Sequence, residues 1–312
     1  MQQYFTDGCD GKQIYVTVMD DVKHPKAVIQ IIHGMGEYAR RFENLAKYFN
    51  EHGYIVFMDD HRAHGRTETD KTRGHCPGNI MADTLQDELK FYEELKARYK
   101  LPVFVLGHSY GSFIGQGFAQ AGTDCKAIAL CGTGYMGAGL MKTGQILMWL
   151  MHALAGKVLF KLGAKFSSAF FRYKGDTGPS QWVVKDMDSR TNFLEDPMCN
   201  QDMSINFYYY MCKETSKLYG RKAKLKLSPR TAIAMFCGKE DPIGGKGKKV
   251  AKLNKFYESV GIKTEMHIYE NSRHEVHNDV EKELAMADMV KFFDQYVVYK
   301  QATIDELLAE EE

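Results

Sequence analysis

Short continuous apolar runs separated by amphipathic stretches organise this chain. Tyr4-Phe5, a turn at Asp10-Gly11 and then alternating Ile14, Val16 and Val18 read as a β-hairpin with one buried face. Ala27–Ile32, Tyr54–Met58, Val103–Leu106, Ala127–Cys131 and Thr231–Cys237 are runs of the kind seen in strands covered on both faces. Thr264–Tyr269 reads as a last strand. Between these runs, Phe42–Asn50, Met81–Tyr99, Gly247–Val260 and Val280–Val297 repeat apolar residues at helical period. In the second of these, Leu85, Leu89, Tyr92 and Leu95 mark the inner face and the charges the outer one. The alternation predicts an α/β fold with a mostly parallel central sheet and helices on both faces.

The alternation stops near Gly132 and resumes near Thr231. The stretch between is rich in Met, Phe, Tyr and Lys and helical by pattern. The chain therefore divides into a core of residues 1–134 and 228–312 and an inserted helical cap of residues 135–227. The insertion sits at the sheet end where open α/β sheets bind ligands. Leu140, Ile146, Leu147, Trp149, Leu150, Leu154, Val158, Leu159 and Leu162 are apolar on more than one helical face. They suit a cap core, a greasy lid that lines an acyl pocket, or one that makes transient contact with a membrane surface. Lys142, Lys157, Lys161, Lys165, Arg172 and Lys174 suit anionic headgroups. Phe207–Met211 is a second aromatic cluster, either cap core or binding wall. The tail, Gln301–Glu312, reads as a solvated end.

Composition adds exclusions. The 312 residues are 44% hydrophobic, enough for a large core, and the net charge of +1 gives no reason to expect a nucleic-acid partner. No basic-then-apolar leader opens the chain, and Thr143–Gly156 is too short to span a bilayer. Seven cysteines at irregular spacing, without a zinc pattern, suit reduced thiols in a cytoplasmic protein.

The candidate chemistry begins at Gly107-His108-Ser109-Tyr110-Gly111, directly after the Val103–Leu106 run. In G-x-S-x-G the serine occupies a sharp strand-to-helix turn that exposes its Oγ to a base. Gly111, Ser112, Gly115, Gly117 and Ala119 would let the following helix pack closely on a sheet. A serine hydroxyl needs a base, and the base an orienting acid. Of eleven histidines, His274 lies in a loop between the last strand and the closing helix, where a base should approach; His277 is the second candidate. His108 points away from the place Oγ must occupy. Asp241, before Pro242 and after the Thr231–Cys237 run, is the candidate acid, with Glu240 its competitor. The order Ser109, Asp241, His274 is that of the α/β-hydrolase triad. Backbone N–H groups of Met35, in Ile32-His33-Gly34-Met35-Gly36, and of Tyr110 are the candidate oxyanion donors. His33 would brace that loop.

These motifs resemble the serine hydrolases of the monoacylglycerol lipase and lysophospholipase group, the serine aminopeptidase S33 type of the α/β-hydrolase superfamily. The H-G-x-G-E segment is matched by His33–Glu37, the G-H-S-M-G elbow by Gly107–Gly111 with Tyr110 for methionine, G-x-x-D-P by Gly238–Pro242, and A-R-H-E by Ser272–Glu275. The D-x-R-G-H-G-x-S segment is matched loosely by Asp60–Thr67, with Ala63 where glycine is usual. The resemblance implies the α/β-hydrolase fold with a cap. It also implies hydrolysis of a carboxylic ester with a lipophilic acyl group, monoacylglycerol or lysophospholipid, through an acyl-enzyme and without a cofactor.

Other readings compete. A short-chain carboxylesterase or a proline-aminopeptidase-like peptidase would share the triad, and a non-catalytic binding protein could share the fold. Gly132–Gly137 is a formal G-x-G-x-x-G, but no acidic residue follows about twenty positions on, as a dinucleotide site needs. Gly244–Lys248 lacks P-loop spacing. His61, His64 and His75 suggest no metal from sequence, because no carboxylate–histidine pattern accompanies them. The oligomeric state is not encoded in these patterns.

Overall fold

The structure, a computed structural model, describes residues 1–155 and 180–297. Val158, Leu159, Leu162, Lys157, Lys161, Lys165, Arg172, Lys174 and the tail from Gln301 lie outside the described residues. Eight strands form one sheet: β1 (Gln2–Asp7), β2 (Gln13–Met19), β3 (Ala27–Ile32), β4 (Tyr54–Asp60), β5 (Val103–His108), β6 (Ala127–Cys131), β7 (Ala232–Gly238) and β8 (Thr264–Tyr269). Their order across the sheet is β1-β2-β4-β3-β5-β6-β7-β8. The β1–β2 and β2–β4 pairs are antiparallel and the others parallel. This is the mostly parallel sheet the apolar runs predict.

Alternate residues of each strand feed two cores. Val28 and Ile32 of β3, Ile128 and Leu130 of β6, and Ile233 and Met235 of β7 join one cluster with α2 (Ile80–Tyr99). The same cluster takes in α3 (Tyr110–Phe118) and the Lys248–Glu258 helix. Ile29, Ile31, Ala129, Ala234 and Phe236 join the other, with α1 (Glu43–Glu51) and the closing helix Lys282–Asp294. This period-two sorting is why the inner strands read as near-continuous apolar runs.

One helix differs from its sequence reading. The buried face of α2 runs through Met81, Thr84, Asp87, Glu88, Phe91, Tyr92 and Leu95, while Leu85 and Leu89 are only partly buried. Two charges thus face inward, because partners await them: Asp87 pairs with Arg62 (Nε–Oδ2 2.5 Å) and Glu88 with Gln30 (Nε2–Oε2 2.5 Å).

Between β6 and β7 the chain forms α4 (Ala138–Ala155), α5 (Met187–Glu195), α6 (Ile205–Thr215) and the short α7 (Arg221–Lys224). With these counted, the Lys248–Glu258 helix is α8 and the closing helix α9. Among the described residues no helix is long and apolar enough to cross a membrane.

Candidate active site

Six loops leave the carboxyl ends of the parallel strands on one rim, and they carry His33, His61, Ser109, Gly132, Asp241 and His274. At the end of β5 the chain reverses through Ser109, whose φ of 52° and ψ of −116° are strained for a residue with a side chain. A Cβ at Gly111 would collide with the carbonyl oxygens of Ile32 and His33, so α3 can start this close to β3 only with glycine there. The Ser109 N–H donates to the Cys131 carbonyl at 2.9 Å and holds the turn against β6.

Asp241 is fully buried after β7. Its Oδ1 receives the Nδ1 proton of His274 at 3.0 Å and the N–H of Ile243 at 2.8 Å. An imidazole that donates through Nδ1 presents a lone pair at Nε2. His274 Nε2 is buried and has no hydrogen-bond partner among the described residues. Glu240 faces outward and pairs with Lys185 at 2.7 Å and Arg273 at 3.4 Å. His277 stacks on Phe42 (4.7 Å between centroids, 17°), and neither of its ring nitrogens has a hydrogen-bond partner among the described residues. Burial, followed by the nearby His108, keeps His277 well below its ordinary range and hence neutral. Of the two sequence candidates for each role, the structure pairs Asp241 with His274.

Around them stands a buried polar frame. Glu37 Oε1 accepts the Gly34 N–H at 2.6 Å and the His108 Nδ1 proton at 2.8 Å. Burial disfavours charge on His108, but the Glu37 carboxylate outweighs it and raises the imidazole above its usual range. Glu275 is raised by burial and lowered more strongly by the Arg41 guanidinium it binds and by His108, ending at about 2. His64 is pushed down to about 3 by burial and by His61.

The inserted segment closes the site. The Trp182 ring lies 4.9 Å from that of His274. The Val183 carbonyl accepts both the His274 N–H (2.9 Å) and the Glu275 N–H (3.0 Å). Asp279 Oδ1 accepts from the N–H groups of Lys185 (2.7 Å) and Asp186 (3.0 Å), and its Oδ2 from that of Arg273 (2.6 Å). A cavity of about 280 Å³ opens over Ser109, Met35 and Tyr110, with Phe113, Met136, Met141, Trp182, Tyr208 and Met211 among its walls. Phe207 is buried against Tyr110 (4.8 Å) in the core beneath α3, and its neighbour Tyr208 joins the cavity wall.

In the Gly132–Gly137 stretch, Gly132 abuts the ring of His274, and Tyr135 packs on Tyr219 at 4.3 Å. Sequence reasoning missed one grouping. Asp59, His61 and Glu88 are buried with donor atoms within 4.8 Å of one another, the only set of metal-ligand types so gathered among the described residues. The 2.9 Å between His61 Nδ1 and Asp59 Oδ2 is a hydrogen-bond separation. Glu88 lies one helix away in sequence, and only its inward-facing position on α2 reveals it.

The chain is similar to proteins of known family and fold. The sequence profile of the serine aminopeptidase S33 family matches residues 23–281. The chain is 28% identical to a monoglyceride lipase homolog of Monkeypox virus over 278 residues, 88% of this chain and 90% of the other. A solved lipase in its open form superposes with a TM-score of 0.83 at 28% identity, covering 96% of this chain and 99% of that one. A thermostable carboxyl esterase from Bacillus coagulans, in complex with glycerol, superposes with the same TM-score at 24% identity over 95% of this chain and 99% of its own.

Proposed function

The chain belongs to the serine aminopeptidase S33 family, has the α/β-hydrolase fold and is an ester hydrolase, and from that membership we propose that it cleaves carboxylic esters with a lipophilic acyl group through a Ser109 acyl-enzyme. The Asp241–His274 hydrogen bond at the rim that also carries the strained Ser109 supports this reading most. His274 Nε2 takes the Ser109 proton as Oγ attacks the ester carbonyl, and Asp241 holds the imidazole in the donating tautomer and offsets its charge. The N–H groups of Met35 and Tyr110 receive the oxyanion. Collapse expels the alcohol with the proton from His274, and water then releases the acid by the same steps in reverse.

The apolar walls of the cavity support a lipophilic acyl chain, and the name of the viral relative supports a monoacylglycerol-like ester. Residues 135–227 act as the cap. On α4, the partly exposed Leu140, Ile146, Leu147, Trp149 and Leu150 support transient contact with a lipid surface. The seven cysteines are unpaired, which supports a reducing, cytoplasmic setting.

A series of p-nitrophenyl esters from acetate to laurate, with Ser109→Ala as blank, tests the reading. Activity rising beyond butyrate and abolished in the variant is expected. A maximum at acetate would make the protein a short-chain esterase, and full activity in Ser109→Ala would remove the serine from the mechanism. Labelling of Ser109 by a fluorophosphonate separates the enzyme from a binding protein.

A further inference from the structure

Behind the loop that carries Met35 lies a polar cluster for which the hydrolytic steps have no task. Asp59 at the end of β4, His61 just beyond it and Glu88 on α2 are almost wholly buried. Gln30 of β3 joins them, its Nε2 donating to Glu88 Oε2 at 2.5 Å and to the Glu88 carbonyl at 2.9 Å. Ionisable groups this deep are costly unless every proton and lone pair is placed.

The hydrogen bonds place them. His61 Nε2 is 3.0 Å from the His33 carbonyl, which has no proton to give, so Nε2 carries one. His61 Nδ1 is 2.9 Å from Asp59 Oδ2 and 3.4 Å from Glu88 Oε1. Asp59 Oδ1 and Glu88 Oε1 are buried without a donor, and between two carboxyls only a proton supplies one. A proton on Glu88, one on each ring nitrogen of His61 and an ionised Asp59 satisfy these atoms and leave the cluster neutral. The electrostatics agree. Burial and the facing Asp59 carboxylate hold Glu88 well above the carboxylate range. Burial opposes charge on His61, but Asp59 outweighs it and raises the imidazole. The other groups around His61 are Asp60 on β4, Tyr110 on α3, and the imidazoles of His33 and His64; Asp87, paired with Arg62, acts on Glu88. Burial and the charge on His61 hold both of those imidazoles low and neutral.

From this cluster a chain of contacts reaches the oxyanion loop. His61 grips His33 twice, donating from Nε2 to its carbonyl and from its own backbone N–H to His33 Nε2 at 2.9 Å, with the rings stacked at 3.6 Å. A neutral His33 that accepts at Nε2 donates from Nδ1, and it does so to the Gly34 carbonyl at 2.7 Å. In a trans peptide the C=O and the following N–H point in opposite directions, so holding the Gly34 carbonyl aims the Met35 N–H.

We propose that His61, kept doubly protonated by its bond to the ionised Asp59, is a positioning residue that aims the Met35 N–H at the oxyanion. The inference rests on the reading of Met35 as an oxyanion donor.

Nitrogen-15 histidine spectra of the intact protein at pH 7.5 test the protonation directly: His61, assigned by its loss in His61→Gln, should show two protonated ring nitrogens. In kinetics, His61→Asn keeps a donor for Asp59 but none for the His33 carbonyl. Its kcat on a p-nitrophenyl ester should fall by about ten- to a hundredfold, short of the 10²–10³ for deleting an oxyanion donor, with KM unchanged. His61→Gln, whose Nε2 can replace the ring Nε2, should retain most of kcat. An unprotonated Nδ1, equal losses in the two variants, or a stoichiometric divalent metal that His61→Asn fails to retain would overturn the inference. Activity in Ser109→Ala would instead sink the hydrolytic reading beneath it, whatever His61 does.

Discussion

Gly132 lies flat against the imidazole of His274: its φ is +56°, and a Cβ there would stand 2.8 Å from Cε1 and 2.9 Å from Nδ1. The ring has no room to retreat, because Trp182 covers it and Asp241 holds Nδ1. Gly132→Ala is therefore expected to displace the base. An error of this size costs about 10²-fold in rate. Steady-state kcat on a p-nitrophenyl ester, read beside a thermal melt, checks it; unchanged kcat in a folded variant would refute this account of Gly132.

Asp241 and Glu240 are neighbours with opposite surroundings, one buried on His274 and the other outward on Lys185 and Arg273. Asp241→Asn should cost about 10⁴ in kcat through the wrong imidazole tautomer. Glu240→Gln should change it by less than about twofold, since an exposed ion pair contributes little. Equal effects in the two variants would show that the acid has been misassigned.

Met211 enters the cavity wall from α6. Met211→Trp should shift the optimum of the chain-length series toward shorter esters, with a loss of about tenfold or more for each methylene that no longer fits. A uniform drop across all chain lengths would mean that Met211 does not border the acyl chain.

Glu275 is buried on Arg41 and held at about 2 against an ordinary 4.5. A carboxyl depressed on folding stabilises fully above its unfolded value and loses that contribution as pH falls toward the folded one, here between about 4.5 and 2. The difference corresponds to about 3 kcal/mol. Urea titrations should show Glu275→Gln less stable by about that amount at pH 7, with the gap closing below pH 4. His64, held at about 3, acts in the same direction: as pH drops below 6.5 the unfolded chain takes up a proton that the native imidazole refuses. That acid sensitivity should persist in the variant, so a flat profile between pH 6 and 4 would contradict it.

The sheet was legible because a strand buried on both faces has no polar alternation to confuse the reader, and Ile29, Phe104 and Ala129 show this directly. The turn at Ser109 and the meeting of Asp241 with His274 were legible because each sits at the end of such a strand. The inward charges of α2 were not. Periodicity sorts residues by polarity, so it assigned Glu88 to the solvent; Gln30 and His61, which draw it inward, lie 58 and 27 positions away. Its place directly after the last strand favours His274 over His277; what the sequence does not give is the partner of each ring, Asp241 for His274 and Phe42 for His277 three residues on.

The Val183 carbonyl accepts from two N–H groups, those of His274 and Glu275, and both of its lone pairs are thereby used. For anyone seeking a minimal version of this enzyme, that makes the inserted segment non-detachable. Trimming it away, or grafting in a segment from a relative that lacks an equivalent carbonyl, would strand two amide donors in the backbone that carries His274. Any redesign of substrate choice must therefore work within the segment and keep residues 181–186 as they are.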